Sequence, residues 1–214
     1  MEKTNYTKTL AQLYQPSATA FSVVDVPPMA FLMIDGHGDP NHTPAHTQAV
    51  EALYAVAYRV KFMCKAQTGH DYVVPPLEGL WWADDMAAFT SGLDKSAWDW
   101  TMMIMLPEQA AGAIAQQAIA EVARAKQLPA LAKIRQQIYH EGCSAQIMHI
   151  GPYSEEGPTL ARLHDQWMPQ NGYTFGGKHH EIYLSDVRRT APAKLKTVLR
   201  QPIRRAGVAM DASA

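Results

Sequence analysis

Apolar and polar positions along the chain fall into two periods, and the elements they predict recur in order. Phe21–Val24 and Met29–Ile34 are short apolar stretches on either side of Pro27-Pro28, the pattern of two strands joined by a proline turn. Thr43-Pro44 is a helix start, with a hydroxyl cap followed by a proline where its missing N–H costs nothing. Ala45, Ala49, Leu53, Val56, Val60 and Met63 then recur every three or four residues and make one apolar helix face, which Gly69-His70-Asp71 ends. Tyr72–Val74 with Leu77–Trp82 reads as one interrupted strand. After a polar turn over Ser91–Ser96, Trp98–Leu106 reads as the next, stopped by Pro107.

Glu108 to Gln127, rich in Ala, Gln and Glu, predicts a joining helix. Ile134 to Ile150 reads as a hairpin turning at Glu141-Gly142. Leu160, Leu163 and Trp167 mark a further helix before Pro169, and Tyr173–Phe175 and Glu181–Leu184 are short strands. Thr190 and Pro192 open a last predicted helix through Leu195, Val198 and Leu199. Strand–helix–strand–strand thus occurs twice. A three-strand layer cannot bury both its faces, so two such units are expected to merge into one larger sheet. The expected fold is α+β. Duplicated strand–helix–strand–strand units form one mostly antiparallel sheet, with the helices on one face and a ligand groove on the other. A single domain is expected, with halves at about 21–107 and 134–186, a linking helix over 108–127 and a basic tail over 187–214.

Composition narrows the function classes. The 214 residues carry 19 basic and 20 acidic side chains, a balance that argues against nucleic acid as the partner. Seven basic residues lie between Arg188 and Arg205, which reads as the solvated face of the last helix, without the interleaved aromatics of a nucleic-acid surface. No apolar run reaches the ~20 residues of a membrane span, and the N-terminus opens no secretory apolar stretch, so a cytoplasmic location and no membrane partner are expected. Cys64 and Cys143 form neither a disulfide framework nor a CxxC motif. His42 and His46 have metal-ligand spacing, but no further ligand completes a set.

Strand alternation puts His179, Glu181 and Tyr183 on one face, with Ile182 and Leu184 on the core side. A carboxylate among aromatics is poorly solvated, so the Glu181 pKa is expected to rise, which suits an acid, a base or a partner for a cationic ligand; a solvent-facing glutamate is the plain alternative. Glu78, Leu80 and Trp82 share one face of their strand and Trp81 takes the other, while Trp98 and Trp100 share a face of the adjoining strand. Four tryptophans on two neighbouring strands fit either packing or a stacking surface for a flat ligand.

Three stretches, His149–Tyr153, Trp167–Tyr173 and His180–Leu184, resemble the GyrI-like small-molecule-binding domain. Pro76–Trp82 and Arg188–Pro192 resemble a stand-alone subgroup of that family, and the first strand begins only about 20 residues into the chain, too few for a helix-turn-helix domain ahead of it. The resemblance implies a central aromatic groove with a buried glutamate on the last strand, at Glu181. It also implies hydrolysis of the strained cyclopropane of DNA-alkylating compounds of the yatakemycin and CC-1065 type, a detoxification that requires no metal or organic cofactor. In that reading a planar hydrophobic molecule stacks on the tryptophans, Glu181 handles a proton, and Tyr153 or Tyr183 hydrogen-bonds its carbonyl. Glu181 and Tyr153 are the catalytic candidates; Glu78, Trp81, Trp82, Trp100, Tyr183 and His179 are the ligand-binding ones. A multidrug-binding or sequestering protein, and a gyrase-inhibitor-like interaction protein, are the alternatives.

Overall fold

The computed structural model describes residues 3–83 and 95–207. Its elements are α1 (Tyr6–Thr9), α2 (Ala11–Tyr14), β1 (Ser22–Val26), β2 (Met29–His37), α3 (Pro44–Thr68), β3 (Leu77–Trp82), β4 (Asp99–Leu106), α4 (Ala113–Ala125), β5 (Arg135–Tyr139) and β6 (Gly142–Ile150). There follow α5 (Gly157–Ala161), a π-helical turn (Arg162–Trp167), α6 (Met168–Gln170), β7 (Tyr173–Phe175), β8 (His179–Tyr183) and β9 (Lys196–Arg205). Strand–helix–strand–strand therefore occurs as β2-α3-β3-β4 and again as β6-helix-β7-β8. The strands make one α+β sheet in the order β1-β6-β9-β8-β3-β4-β2-β5, with β7 beside β9 and every ladder antiparallel.

Two expected elements differ. Residues beyond Thr190 form not a solvated helix but the strand β9, inserted between β6 and β8. Thr197, Leu199, Gln201 and Ile203 point one way and Val198 and Arg200 the other; all six are buried, so the basic residues of the tail are not one solvated face. The 134–150 stretch is two strands but no hairpin: β5 pairs with β2, and β6 with β1 and β9. Two-residue links cross between the sheet's opposite edges, Pro27-Pro28 from β1 to β2 and His140-Glu141 from β5 to β6. Three extended steps span roughly 10 Å, so the sheet curls until its edges approach at that end. The polar turn expected over Ser91–Ser96 falls largely outside the described residues.

One face of the sheet carries the helices. Ala49, Ala52, Leu53, Val56, Ala57 and Val60 of α3 pack on Leu32, Ile34, Trp100, Met102, Ile104 and Leu106. Gly69, at φ +75°, ends α3 in the left-handed conformation that glycine adopts without a Cβ clash. The opposite, concave face is filled from within the chain. Tyr6 and Leu10 pack on Phe31, Met33, Leu80, Met103 and Met105, and Leu13 and Tyr14 on Val26, Met148, Ile182 and Val198. The groove residues His179, Glu181 and Tyr183 accordingly lie on the helix side, and the face expected to be a groove is occupied by α1 and α2. Amphipathic pattern alone does not reveal that so short a segment covers a sheet face. Among the described residues no helix is long and apolar enough to cross a membrane.

Candidate functional site

The candidate site lies over the sheet's two central strands, with His46 of α3 against Trp81 on one flank and Tyr153, ahead of α5, against Tyr183 on the other. β3 and β8 pair with Leu77 opposite Tyr183, Gly79 opposite Glu181 and Trp81 opposite His179, so these six positions share the helix side. Gly79 makes the arrangement possible. A Cβ there would lie 2.8 Å from Trp81 Nε1 and 3.2 Å from the Tyr183 hydroxyl, so only glycine leaves those two groups room to meet. They do meet: Trp81 Nε1 donates to the Tyr183 hydroxyl at 3.1 Å, and that hydroxyl donates to Glu181 Oε2 at 2.7 Å. His179 Nε2 stands 3.5 Å from Glu181 Oε1. The Tyr153 ring meets Tyr183 edge-on at 5.5 Å, and Trp81 meets Trp98 edge-on at 5.9 Å and stacks on His46 at 6.1 Å. The result is an aromatic wall with one carboxylate at its foot, only 15% of whose side chain is exposed.

A second carboxyl group joins it. Glu156 is buried, at the end of the turn that Pro152 begins and just before α5, and its Oε1 makes no hydrogen bond. Burial, reinforced by the Glu181 charge, pushes Glu156 up to about 9. Burial also opposes the Glu181 charge, but His179, the Tyr183 hydroxyl and Lys95 outweigh it and hold Glu181 below its ordinary value. The two environments thus push in opposite senses, Glu156 toward its protonated form and Glu181 toward its charged one. The rise expected at Glu181 belongs to Glu156 instead, because the hydrogen-bond donors cluster at Glu181. Tyr153, raised by burial and by both glutamates to about 12, remains a neutral donor.

These contacts bring together Glu181, Tyr153, Tyr183, Trp81 and His179. The other three sequence candidates stand elsewhere. Trp100 is fully buried beneath α3, its ring in the space a Cβ at Gly36 would take and its Nε1 donating to Gly38 O. Trp82 points to the concave side, where Lys178 Nζ sits 3.3 Å from its ring centre, at the rim of a cavity of about 440 Å³ shared with Asp35, Asp99 and Arg135. Glu78 is buried on that same side and accepts from the Tyr14 hydroxyl at 3.0 Å, with His180 Nε2 also at 3.0 Å. Its neighbour in that network, Glu141, binds His180 Nδ1 and Arg200 Nη1, each at 3.0 Å. Two cleft residues escaped the sequence reading, Glu156 and His164. The Glu155-Glu156 pair between Pro152 and Pro158 is the one local signal for Glu156, which of the two turns inward depends on the turn, and His164 carries no local signal.

A family model for the GyrI-like small molecule binding domain matches residues 19–204. An uncharacterized conserved protein from Listeria innocua has a crystal structure 37% identical to this chain, with a TM-score of 0.84, covering 94% of this chain and 100% of its own. A hydrolase from Listeria innocua is 36% identical, with a TM-score of 0.79, over 94% of this chain and 100% of its own. The C-terminal domain of EcmrR shares the fold at 13% identity and a TM-score of 0.56, over 87% of this chain and 98% of its own. No curated protein matches the chain at a significant level.

Proposed function

Because the chain belongs to the GyrI-like small-molecule-binding family, we propose that its cleft takes a planar hydrophobic electrophile and hydrolyses it, opening the strained cyclopropane of a cyclopropanoid compound. The observation that carries this reading is the nearly buried Glu181 carboxylate, held by the Tyr183 hydroxyl at 2.7 Å beside the wall of Trp81, Tyr153 and Tyr183, with the buried Glu156 raised by its burial and by the Glu181 charge. The hydrolase relatives at 36% identity support the reaction class.

In such a substrate the cyclopropane is conjugated to a dienone. Glu181 accepts a proton from a water molecule as the water oxygen bonds to the ring carbon. The broken C–C bond sends its electron pair through the conjugated system to the carbonyl oxygen. Glu156 delivers its proton there, and Tyr153 steadies the developing negative charge with a hydrogen bond. A hydroxyl is gained at carbon, a phenol is formed, and water is consumed with no redox change. The proton has moved from Glu156 to Glu181, so the pair ends with one proton as it began, and a single transfer between the two restores the starting form. Ring strain supplies much of the driving force, so an acid–base contribution of ~10²–10⁴-fold suffices for useful turnover.

Incubation with a cyclopropanoid followed by mass spectrometry tests the proposal. A product heavier by one water supports it. Recovery of unchanged compound together with quenched tryptophan fluorescence overturns hydrolysis and leaves a binding protein.

A further inference from the structure

On the concave side of the sheet a hollow of about 440 Å³ opens over the ends of the central strands, and none of its lining comes from α1 or α2. Its volume falls in the range of ~300–1,000 Å³ usual for small-molecule sites. Strand register explains what lines it. One step past His179 opposite Trp81, Lys178 falls beside Trp82; Trp82 lies opposite Asp99, and Asp99 opposite His37. A row of ammonium, indole, carboxylate and imidazole therefore crosses the sheet from the head of β8 to the end of β2. Arg135, opposite Met33 on the same face, Lys133 just ahead of it and Asp35 complete the charged lining.

The acids of this hollow are already matched, and two of its cations are not. Asp35 accepts from the Thr101 hydroxyl at 2.6 Å and pairs with Arg135 Nη1 at 2.9 Å. Asp99 Oδ1 has His37 Nδ1 at 2.8 Å. Lys178 and Lys133 form no ion pair among the described residues; Lys178 Nζ stands instead 3.3 Å from the centre of the Trp82 ring. An indole face attracts an ammonium group but leaves its N–H bonds open to a better acceptor. With Lys133, Arg135 and Lys178 set against Asp35 and Asp99, the hollow carries a net charge of plus one. A monoanion cancels that charge, whereas a dianion such as phosphate exceeds it and faces two carboxylates. The Trp82 ring adds an apolar flank that suits a flat body.

We propose that this hollow binds a planar organic monocarboxylate, with its carboxylate on Lys178 and Lys133 and its ring against Trp82. No residue is common to the hollow and to the site around Glu181 on the other face, so the assignment stands apart from the ring-opening reading.

Titration of the full chain with 1-naphthoate, followed through the indole N–H signals in ¹H–¹⁵N NMR spectra, tests the proposal. The expected result is a saturable displacement of the Trp82 signal, assigned by its loss in Trp82→Phe, with the Trp81 signal unmoved. Lys178→Met and Lys133→Met should each weaken binding about tenfold to a hundredfold, as the loss of a charge-assisted hydrogen bond does. The uncharged naphthamide, which keeps the ring, and inorganic phosphate, which keeps only the charge, should both bind far more weakly than naphthoate. A Trp82 signal that does not move, or a Trp81 signal that moves in its place, overturns the proposal. So does naphthoate binding that is undiminished in both lysine variants, or naphthamide or phosphate binding as tight as that of naphthoate. The naphthamide and phosphate comparisons use the unmodified protein, so they decide the matter even where a lysine variant fails to fold.

Discussion

Residues 179 and 180 are adjacent histidines on β8, each beside a buried glutamate, and the sheet separates them. On the concave side His180 is fully matched: Glu78 and Glu141 bind its two nitrogens, Arg200 binds Glu141, Gln146 and the Leu13 carbonyl, and Tyr14 caps Glu78. Two negative and two positive groups cancel, and the network ties α2 to the sheet. On the other side His179 Nε2 stands 3.5 Å from Glu181 Oε1 with no second partner behind it among the described residues, and burial pushes the neighbouring Glu156 up to about 9. The same residue types make a closed structural network on one face and a candidate site on the other, where the hydrogen bonds are fewer. A buried ion cluster is therefore no guide to a site until its hydrogen bonds have been counted.

Substitutions on the two faces should separate activity from stability. The largest effect is expected from Glu181→Gln, which should lower turnover of a cyclopropanoid by ~10²–10⁴-fold while tryptophan quenching by the compound persists. Full activity in that variant, followed by mass spectrometry, removes Glu181 from the chemistry. On the other face, Arg200→Met leaves Glu141 buried without its guanidinium and should cost about 3–5 kcal/mol in urea unfolding, with the carboxyl titrations of the cleft unchanged. Loss of activity without loss of stability would mean that the two faces are not independent.

Acidity distinguishes them next. Glu141, opposed by burial but held by His180 and Arg200 at about 2 against an ordinary 4.5, adds stability above 4.5 that disappears as pH falls toward 2. His180 is raised to about 9 from 6.5 by Glu141 and Glu78 against the effect of burial, so its share is full below 6.5 and disappears as pH climbs through 9. Glu156, also raised to about 9, favours the folded form below 4.5 and loses that share over the same climb. Thermal melts should therefore fall at both ends of the pH range. Glu156→Gln should flatten part of the alkaline fall and leave the acid limb in place; an alkaline limb identical to that of the unmodified protein would show that Glu156 is not the proton holder.

The smallest contrast uses neighbouring tryptophans. Trp81→Phe should weaken binding of a flat ligand by about three- to tenfold in a fluorescence titration, whereas Trp82→Phe, on the far side of the sheet, should leave it unchanged. Equal effects would mean that the ligand does not lie in this cleft.

Much of this was legible in the residues. The duplicated element order, the helix from Pro44 and the facing of His179, Glu181 and Tyr183 follow from period and punctuation, because those segments obey local rules. β9 did not: Pro192 at a turn and leucines four apart imitate a helix, and only pairing on both edges makes Lys196–Arg205 a strand. Which tryptophan faces the cleft depended on register. The burial of Glu156 beside Glu181 arises from contacts between distant segments, which no single stretch encodes. Glu78, read as a groove residue, is taken by Tyr14 from 64 positions away.

The family match begins at residue 19, yet Tyr6, Leu10, Leu13 and Tyr14 stopper the hollow of the curled sheet from ahead of that boundary. Anyone trimming the chain to the matched limits would strip that stopper away. Phe31, Met33 and Met105 would meet water, Glu78 would lose its phenol and Arg200 its carbonyl, and the shortened protein should clump on expression although its helix-bearing side is intact.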